Sequence, residues 1–244
     1  MASQKVRKIG ILVSFLLFPV IMNYFSPYLI LESAALGLIN GSFVVFVILF
    51  LSSLFIGRFW CGWLCPAGGL QEAAFIVVDK PAAGGKYNLI KYIIWIPWLI
   101  IIGILAFLAG GYTQIDFFFR TESFVSIDEP SRFLIYYVIL GSIFIIALAR
   151  KRAFCHYGCW IALFPIAGQK IKNFFKWPSY HLEAETTKCV QCRNCDKACP
   201  MSLDVSGMVE RGSMENTECI LCGTCVVTCP QGTLETAWRW KNKK

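Results

Sequence analysis

Histidine is almost absent from this chain: His156 and His181 are the only two in 244 residues, and no C-x-x-C-H occurs. Two imidazoles outside the apolar runs cannot supply the paired axial ligands of b-type haem, and c-type haem has no attachment point, so no haem is expected. Acidic residues are also scarce, 15 against 23 Lys and Arg. The resulting charge of +8 gathers at the ends of apolar stretches and forms no polar stripe, which argues against nucleic acid and for charge that reports membrane topology. Isolated cysteines are missing as well. All 12 fall in short-spaced motifs, as metal ligands do and disulfide frameworks usually do not, and a reducing compartment follows. No small-residue cleavage site follows the first apolar run, where Pro19, Tyr24 and Phe25 suit a retained segment.

What the chain has in plenty is apolar sequence, 57% of residues with a mean hydropathy of +0.59. Four runs, 9–30, 37–57, 92–110 and 133–149, are long enough to cross about 30 Å of hydrocarbon as helices, with Pro19 and Pro97 kinking two of them. Lys5, Arg7 and Lys8 precede the first run; Arg58, Lys80, Lys86 and Lys91 lie between the second and third; Arg150, Lys151 and Arg152 follow the fourth. The connection 31–36 carries no Lys or Arg, and the loop 111–132 sets Arg120 and Arg132 against Asp116, Glu122, Asp128 and Glu129. The positive-inside rule then predicts a multi-pass protein of the cytoplasmic membrane with both termini cytoplasmic. The expected fold is an α-helical membrane domain of four transmembrane helices (1–177), then a C-terminal α+β ferredoxin-like domain (178–244), with Trp177-Pro178 at the boundary. Stretches 67–80 and 161–176 read as interfacial helices, and Trp60, Trp63, Trp95, Trp98, Trp160 and Trp177 as interfacial anchors. The outer-loop acids read as a solvated loop.

Residues 189–200, CVQCRNCDKACP, and 219–230, CILCGTCVVTCP, both follow C-x2-C-x2-C-x3-C-P, the spacing of bacterial two-cluster ferredoxins. Three thiolates in a tight loop reach one cubane, while the fourth, beyond a turn closed by Pro, projects toward the other. Cluster I is therefore assigned Cys189, Cys192, Cys195 and Cys229, and cluster II Cys219, Cys222, Cys225 and Cys199. Two four-cysteine zinc sites are the bland alternative. Small residues near the ligands, Gly223 and Ala198, leave room for backbone N–H groups to approach the sulfides.

The membrane half repeats. A shift of 94 residues lays Arg58-Phe59-Trp60-Cys61-Gly62-Trp63-Leu64-Cys65 over Arg152-Ala153-Phe154-Cys155-His156-Tyr157-Gly158-Cys159. On a helix each C-x3-C pair would share a face, and a parallel two-hairpin repeat can bring both pairs together. Cys61, Cys65, Cys155 and Cys159 could then hold a third iron-sulfur cluster or another metal, act as redox dithiols, or simply pack as small apolar residues. Function is favoured, and metal over dithiol. His156 reads as a ligand, a hydrogen-bond donor or a bland interfacial residue, and His181 as a linker residue.

These motifs resemble those of the membrane-bound polyferredoxins that include the quinol-dehydrogenase subunit of periplasmic nitrate reductase systems. The resemblance rests on the four runs, the two C-x3-C pairs and the two ferredoxin motifs. In that family Pro follows each C-x3-C pair; Cys65-Pro66 conforms and Cys159-Trp160 departs. The regulators of nitrous-oxide reductase share the motifs but add a large periplasmic flavin-binding domain, which this sequence lacks. The resemblance implies passage of electrons between the quinone pool, or a cytoplasmic donor, and a partner oxidoreductase. The competing reading is a membrane reductase that supplies electrons for maturation or maintenance of a metal centre or thiol. A sensor or transporter is disfavoured, since the runs carry no paired charges marking an ion path.

Overall fold

A computed structural model describes residues 2–121, 125–126 and 130–239. The chain starts with α1 (Ala2–Leu16) and a short α2 (Phe18–Ile21), then α3 (Pro27–Ala35). Pro27 opens α3 where a missing N–H costs nothing, and the Ser26 hydroxyl accepts from the Leu29 N–H. Strand β1 (Leu38–Asn40) leads into α4 (Gly41–Ile56), followed by the five-residue α5 (Phe59–Trp63), α6 (Pro66–Ala73) and α7 (Ile90–Leu108). Strand β2 (Gln114–Asp116) pairs in parallel with β1, Leu38 opposite Gln114. Next come α8 (Pro130–Ala147), the five-residue α9 (Ala153–Tyr157) and α10 (Leu163–Phe175). The last unit is strand β3 (Ser179–Ala184), α11 (Asn194–Ala198), α12 (Val205–Glu210), α13 (Thr224–Thr228) and strand β4 (Leu234–Arg239). Strands β3 and β4 run antiparallel, Ser179 opposite Arg239, and bracket both ferredoxin motifs in an α+β arrangement.

The expectation of four transmembrane helices is overturned. Among the described residues one helix, Gly85–Leu108 with a mean hydropathy of 2.2, is long and apolar enough to cross a membrane. The others fall short for local reasons. In 37–57 the Asn40 side chain caps α4 by accepting from the Phe43 N–H (2.9 Å), and Gly57 at φ 55° ends it. Sixteen residues remain, about 24 Å against the 30 Å required. Run 9–30 breaks ahead of Pro19, and its halves Ser3–Leu16 and Phe18–Phe25 meet at 59°, so at most they form one broken span. In the fourth run, carried by α8, the apolar part among the described residues is Leu134–Ala147.

Four of the ten cations read as topology signals lie in the interior: Arg7, Arg58, Lys91 and Arg152 are 3%, 1%, 0% and 0% exposed. The tryptophans behave likewise. The indole N–H groups of Trp63, Trp95, Trp98, Trp160 and Trp177 donate to the backbone carbonyls of Leu221, Gly158, Pro27, Phe25 and Leu54. They pin loops and helix ends to one another, as buried indoles do. Helix α10, expected at an interface, packs on α4 so closely that a Cβ at Gly168 would overlap Ser53. Its Lys172 is buried and donates to the Tyr180 carbonyl (2.7 Å), while Phe174 and Phe175 remain exposed. Of the outer-loop acids, Asp116 is exposed on β2, and Glu122, Asp128 and Glu129 lie outside the described residues.

Candidate functional site

The two ferredoxin motifs adopt the same backbone. Counting from the first cysteine of each, the third and fifth residues are left-handed in both copies: Gln191 (φ 54°) and Arg193 (57°), Leu221 (50°) and Gly223 (72°). Three residues past the fourth cysteine Ser202 (51°) and Gly232 (59°) repeat the feature. Such a conformation costs about 1–2 kcal/mol at each residue with a Cβ. Alternating right- and left-handed residues turns successive N–H groups toward one side, an anion-receptive nest.

Inside these loops lie two hollows. One is lined by Cys189, Cys192, Cys195 and, from the other motif, Cys229. The second is lined by Cys219, Cys222, Cys225 and the crossed Cys199. The grouping is the one that the spacing predicts. Among the described residues no three of His, Cys, Asp and Glu converge on a single-ion position. A four-thiolate zinc site would draw its sulfurs within about 2.3 Å of one metal, whereas the thiolates of a cubane each bind a different iron. The donor set, four cysteines lining each hollow, fits a [4Fe-4S] group.

Two opposing influences act on these sulfurs, hydrogen bonds that favour the thiolate and burial that disfavours it. The N–H groups of Leu203 and Met201 bond Cys199, and those of Thr233, Gln231 and Gly232 bond Cys229 at matching positions. Burial pushes the thiols of Cys195 and Cys199 up to about 11 and that of Cys219 up to about 12. Cluster uptake must therefore expel protons that these thiols hold tightly. The two hollows differ in access: Cys192 is exposed, whereas Cys199, Cys222 and Cys225 are buried.

The first cysteine of each C-x3-C pair packs in the apolar cluster that holds the second hollow's cysteines. Cys61, Cys155, Cys199, Cys222 and Cys225 belong to one buried apolar cluster. A Cβ at Gly62 would overlap the Ile220 carbonyl oxygen and lie 3.3 Å from Cys222 Cβ. All four C-x3-C thiols are 4–5% exposed, and they act on one another electrostatically, Cys65 on Cys61, Cys155 and Cys159. Their local geometry is not the single helical face expected. Cys61 lies in α5, but Cys65 is extended (ψ 119°) ahead of Pro66; Cys155 lies in α9, and Cys159 falls past its end. The N–H groups of Leu64 and Cys65 both donate to the Trp60 carbonyl, and those of Gly158 and Cys159 both donate to that of Phe154. The 94-residue repeat thus reappears bond for bond in the turn.

Comparison with known sequences bears on both regions. Residues 41–81 and 133–166, which contain both C-x3-C pairs, match the 4Fe-4S binding domain, and residues 188–234 match the 4Fe-4S dicluster domain. The chain carries two 4Fe-4S binding domains. It is 25% identical over 181 residues to uncharacterized protein MJ0749 of Methanocaldococcus jannaschii, covering 71% of this chain and 63% of that relative, slightly under two thirds. It is 24% identical over 189 residues to MJ0750 of the same organism, covering 72% and 71% of the two chains. "Putative electron transport protein YccM" of Escherichia coli strain K12 is 24% identical over 188 residues, covering 70% of this chain and 48% of its own length. No solved structure matches.

Sequence reasoning missed the charged residues around the four C-x3-C thiols. Arg58 bonds Glu218 (2.9 Å) and the Thr217 carbonyl (3.0 Å), and Lys91 reaches the other Glu218 oxygen (2.6 Å). Arg152 bonds Glu72 and donates to the Cys61 carbonyl (2.9 Å); Arg7 bonds Glu72 (2.8 Å) and the Gly62 carbonyl (3.1 Å). Gln71 donates to Cys155 Sγ (3.1 Å). The alignment that superposes the cysteines also superposes Arg58 on Arg152, so one signal was available. Neither histidine is a free ligand. His156 contacts Asn88 Oδ1 (2.8 Å) and the Met201 carbonyl (3.1 Å), and burial lowers it to about 4, so it is neutral. His181 is no linker residue: it is buried on β3 between the Ser179 carbonyl and Glu183.

Proposed function

We propose that this chain is a membrane-held iron-sulfur electron carrier that relays electrons between the quinone pool or a soluble donor and a partner oxidoreductase. The observation carrying this reading is the set of cysteine sites: one hollow lined by the exposed Cys192 and three half-buried cysteines, one lined mostly by buried cysteines, and four buried C-x3-C thiols, of which Cys61 and Cys155 share an apolar cluster with Cys199, Cys222 and Cys225. When bound, cubanes at these sites supply one-electron transfer at potentials anywhere in a span of about −700 to +450 mV. The protein's part is positional. The left-handed loops turn N–H groups toward sulfur, the crossed cysteines tie the two motifs together, and Gly62 lets the Cys222 loop lie on α5. The similarity to the putative electron transport protein YccM and the domain matches support electron transport as the role.

The C-x3-C cysteines are read as ligands of a third iron-sulfur centre. A maintenance reductase using them as dithiols would need sulfurs open to exchange, and burial at 4–5% exposure opposes that. Membrane attachment is proposed from the apolar flanks of α7 and α8. Ile93, Phe107, Leu134 and Ile145 are 73%, 84%, 70% and 70% exposed, a patch that lipid would cover. Gln4 donates to the Cys222 carbonyl (2.8 Å), so the start of α1 would share the cytoplasmic side with the clusters.

The test is iron and acid-labile sulfide per chain in anaerobically purified protein, with EPR of the reduced form. About twelve irons are expected from three cubanes, and Cys61→Ser with Cys155→Ser should remove about four while both ferredoxin signals persist. Colourless, zinc-loaded protein would end the redox reading. Clusters reduced by neither quinol nor soluble ferredoxin in an intact preparation would end the relay reading.

A further inference from the structure

Two arginines with matching defects flank the C-x3-C thiols. Arg58 and Arg152 occupy equivalent positions of the 94-residue repeat, each immediately ahead of the short helix that carries the first cysteine of its pair. Both are essentially inaccessible, 1% and 0% exposed. Each shares a carboxylate with a second cation, Glu218 with Lys91 and Glu72 with Arg7. Among the described residues four cations therefore share two carboxylates beside the thiols, a surplus of up to two positive charges. Among the described residues the Nε–H of each arginine is buried with no hydrogen-bond partner, although the Nη groups of both are bonded. A buried donor on a charged group left unmade costs about 1–3 kcal/mol or more, and here the same one is left in both copies. The guanidinium of Arg58 acts electrostatically on Cys61 and Cys155, and that of Arg152 on Cys155 and Cys65. Four thiolates around a dicationic iron-sulfur core carry a net charge of roughly −2, and their sulfurs and the sulfides accept hydrogen bonds. Such a group would neutralise the surplus charge and take both donors.

We propose that Arg58 and Arg152 are the positioning residues of a third iron-sulfur centre: their unpartnered Nε–H groups point the pair at its sulfurs, and their buried charge raises its reduction potential. The inference rests on the proposed third centre and deepens it. Reduction adds a negative charge, so nearby buried cations favour the reduced state. Arg58 also joins this site to the ferredoxin unit, because Glu218 immediately precedes Cys219. Its charge lies on the side from which an electron would arrive from the buried hollow.

The test is an EPR-monitored redox titration of full-length protein in detergent, with iron counted per chain and the two ferredoxin clusters as internal references. A wild-type count of about eight irons would remove the third centre and with it this inference. Given about twelve, Arg58→Gln and Arg152→Gln should each lower the reduced-to-oxidised ratio of the third centre at least tenfold, about 59 mV, or release its four irons while the exposed ferredoxin cluster keeps its midpoint. An unchanged midpoint and signal would overturn the proposal. If the glutamine variants lose every cluster through misfolding, Arg58→Lys and Arg152→Lys decide, because lysine keeps the charge but has no Nε–H. A third-centre EPR line shape changed in both supports the assignment, and one identical to wild type in both refutes it.

Discussion

Replacing Gly62 by alanine isolates the contact that seats the buried ferredoxin site on the C-x3-C region. Gly62 lies inside α5, where alanine should be favoured by about 0.5–1 kcal/mol on helix propensity alone. The packing predicts the opposite sign. The new methyl would overlap the Ile220 carbonyl oxygen, a backbone atom that cannot rotate away, and sit 3.3 Å from Cys222 Cα and Cβ. Overpacking costs about 1–3 kcal/mol, so after the propensity gain a net loss of about 1 kcal/mol is expected. For a chain of this size that corresponds to about 2–4 °C, read as the midpoint of thermal bleaching of cluster absorbance under anaerobic conditions. The matched control is Gly84→Ala, which has nothing within 4 Å and an ordinary φ of −81°, and which should leave the midpoint unmoved. Gly62→Ala protein as stable as wild type or more so would refute the docking geometry.

Other predictions rest on separate contacts. Glu218→Gln leaves Arg58 and Lys91 buried without their shared carboxylate and should cost about 3–5 kcal/mol, read by denaturant-induced bleaching. Burial pushes the Glu218 carboxyl up, but Arg58 and Lys91 outweigh it and hold its pKa below the ordinary range. Its contribution is thus fully present above about pH 4.5 and fades as pH falls through the depressed value. The deficit of Glu218→Gln should shrink in that acid window, and a deficit independent of pH would count against the ion pair as its source. Cys229→Ser should perturb the same EPR signal as Cys189→Ser, and Cys199→Ser the same signal as Cys219→Ser; pairing by sequence proximity instead would disprove crossed ligation. Asn40 caps α4 and also donates to the Leu29 carbonyl (2.9 Å), so Asn40→Ala should lower stability by about 1–2 kcal/mol, with an effect under 0.5 kcal/mol contradicting the cap.

The grouping of the eight ferredoxin cysteines was legible in the sequence because spacing and loop geometry are local: a C-x2-C-x2-C segment has few ways to turn three sulfurs inward. Internal alignment likewise exposed the paired turns at Cys61–Cys65 and Cys155–Cys159, whose hydrogen bonds match in both copies. Helix length was less legible. Apolar content marks a run, but the left-handed Gly57 and the break ahead of Pro19 decide where its backbone stops being helical, and neither changes the hydropathy.

By itself, then, the sequence determined the 4Fe-4S binding motifs and the 94-residue repeat. Tertiary structure alone decided that Arg7, Arg58, Lys91 and Arg152 are interior charges and that five tryptophans bond carbonyls inside the protein. It also decided that Cys61 and Cys155 share an apolar cluster with Cys199, Cys222 and Cys225. The reason is separation along the chain: Arg58 meets Glu218 across 160 residues and Gln4 meets Cys222 across 218, and no local pattern encodes which distant partner will neutralise a charge or fill a gap beside a glycine.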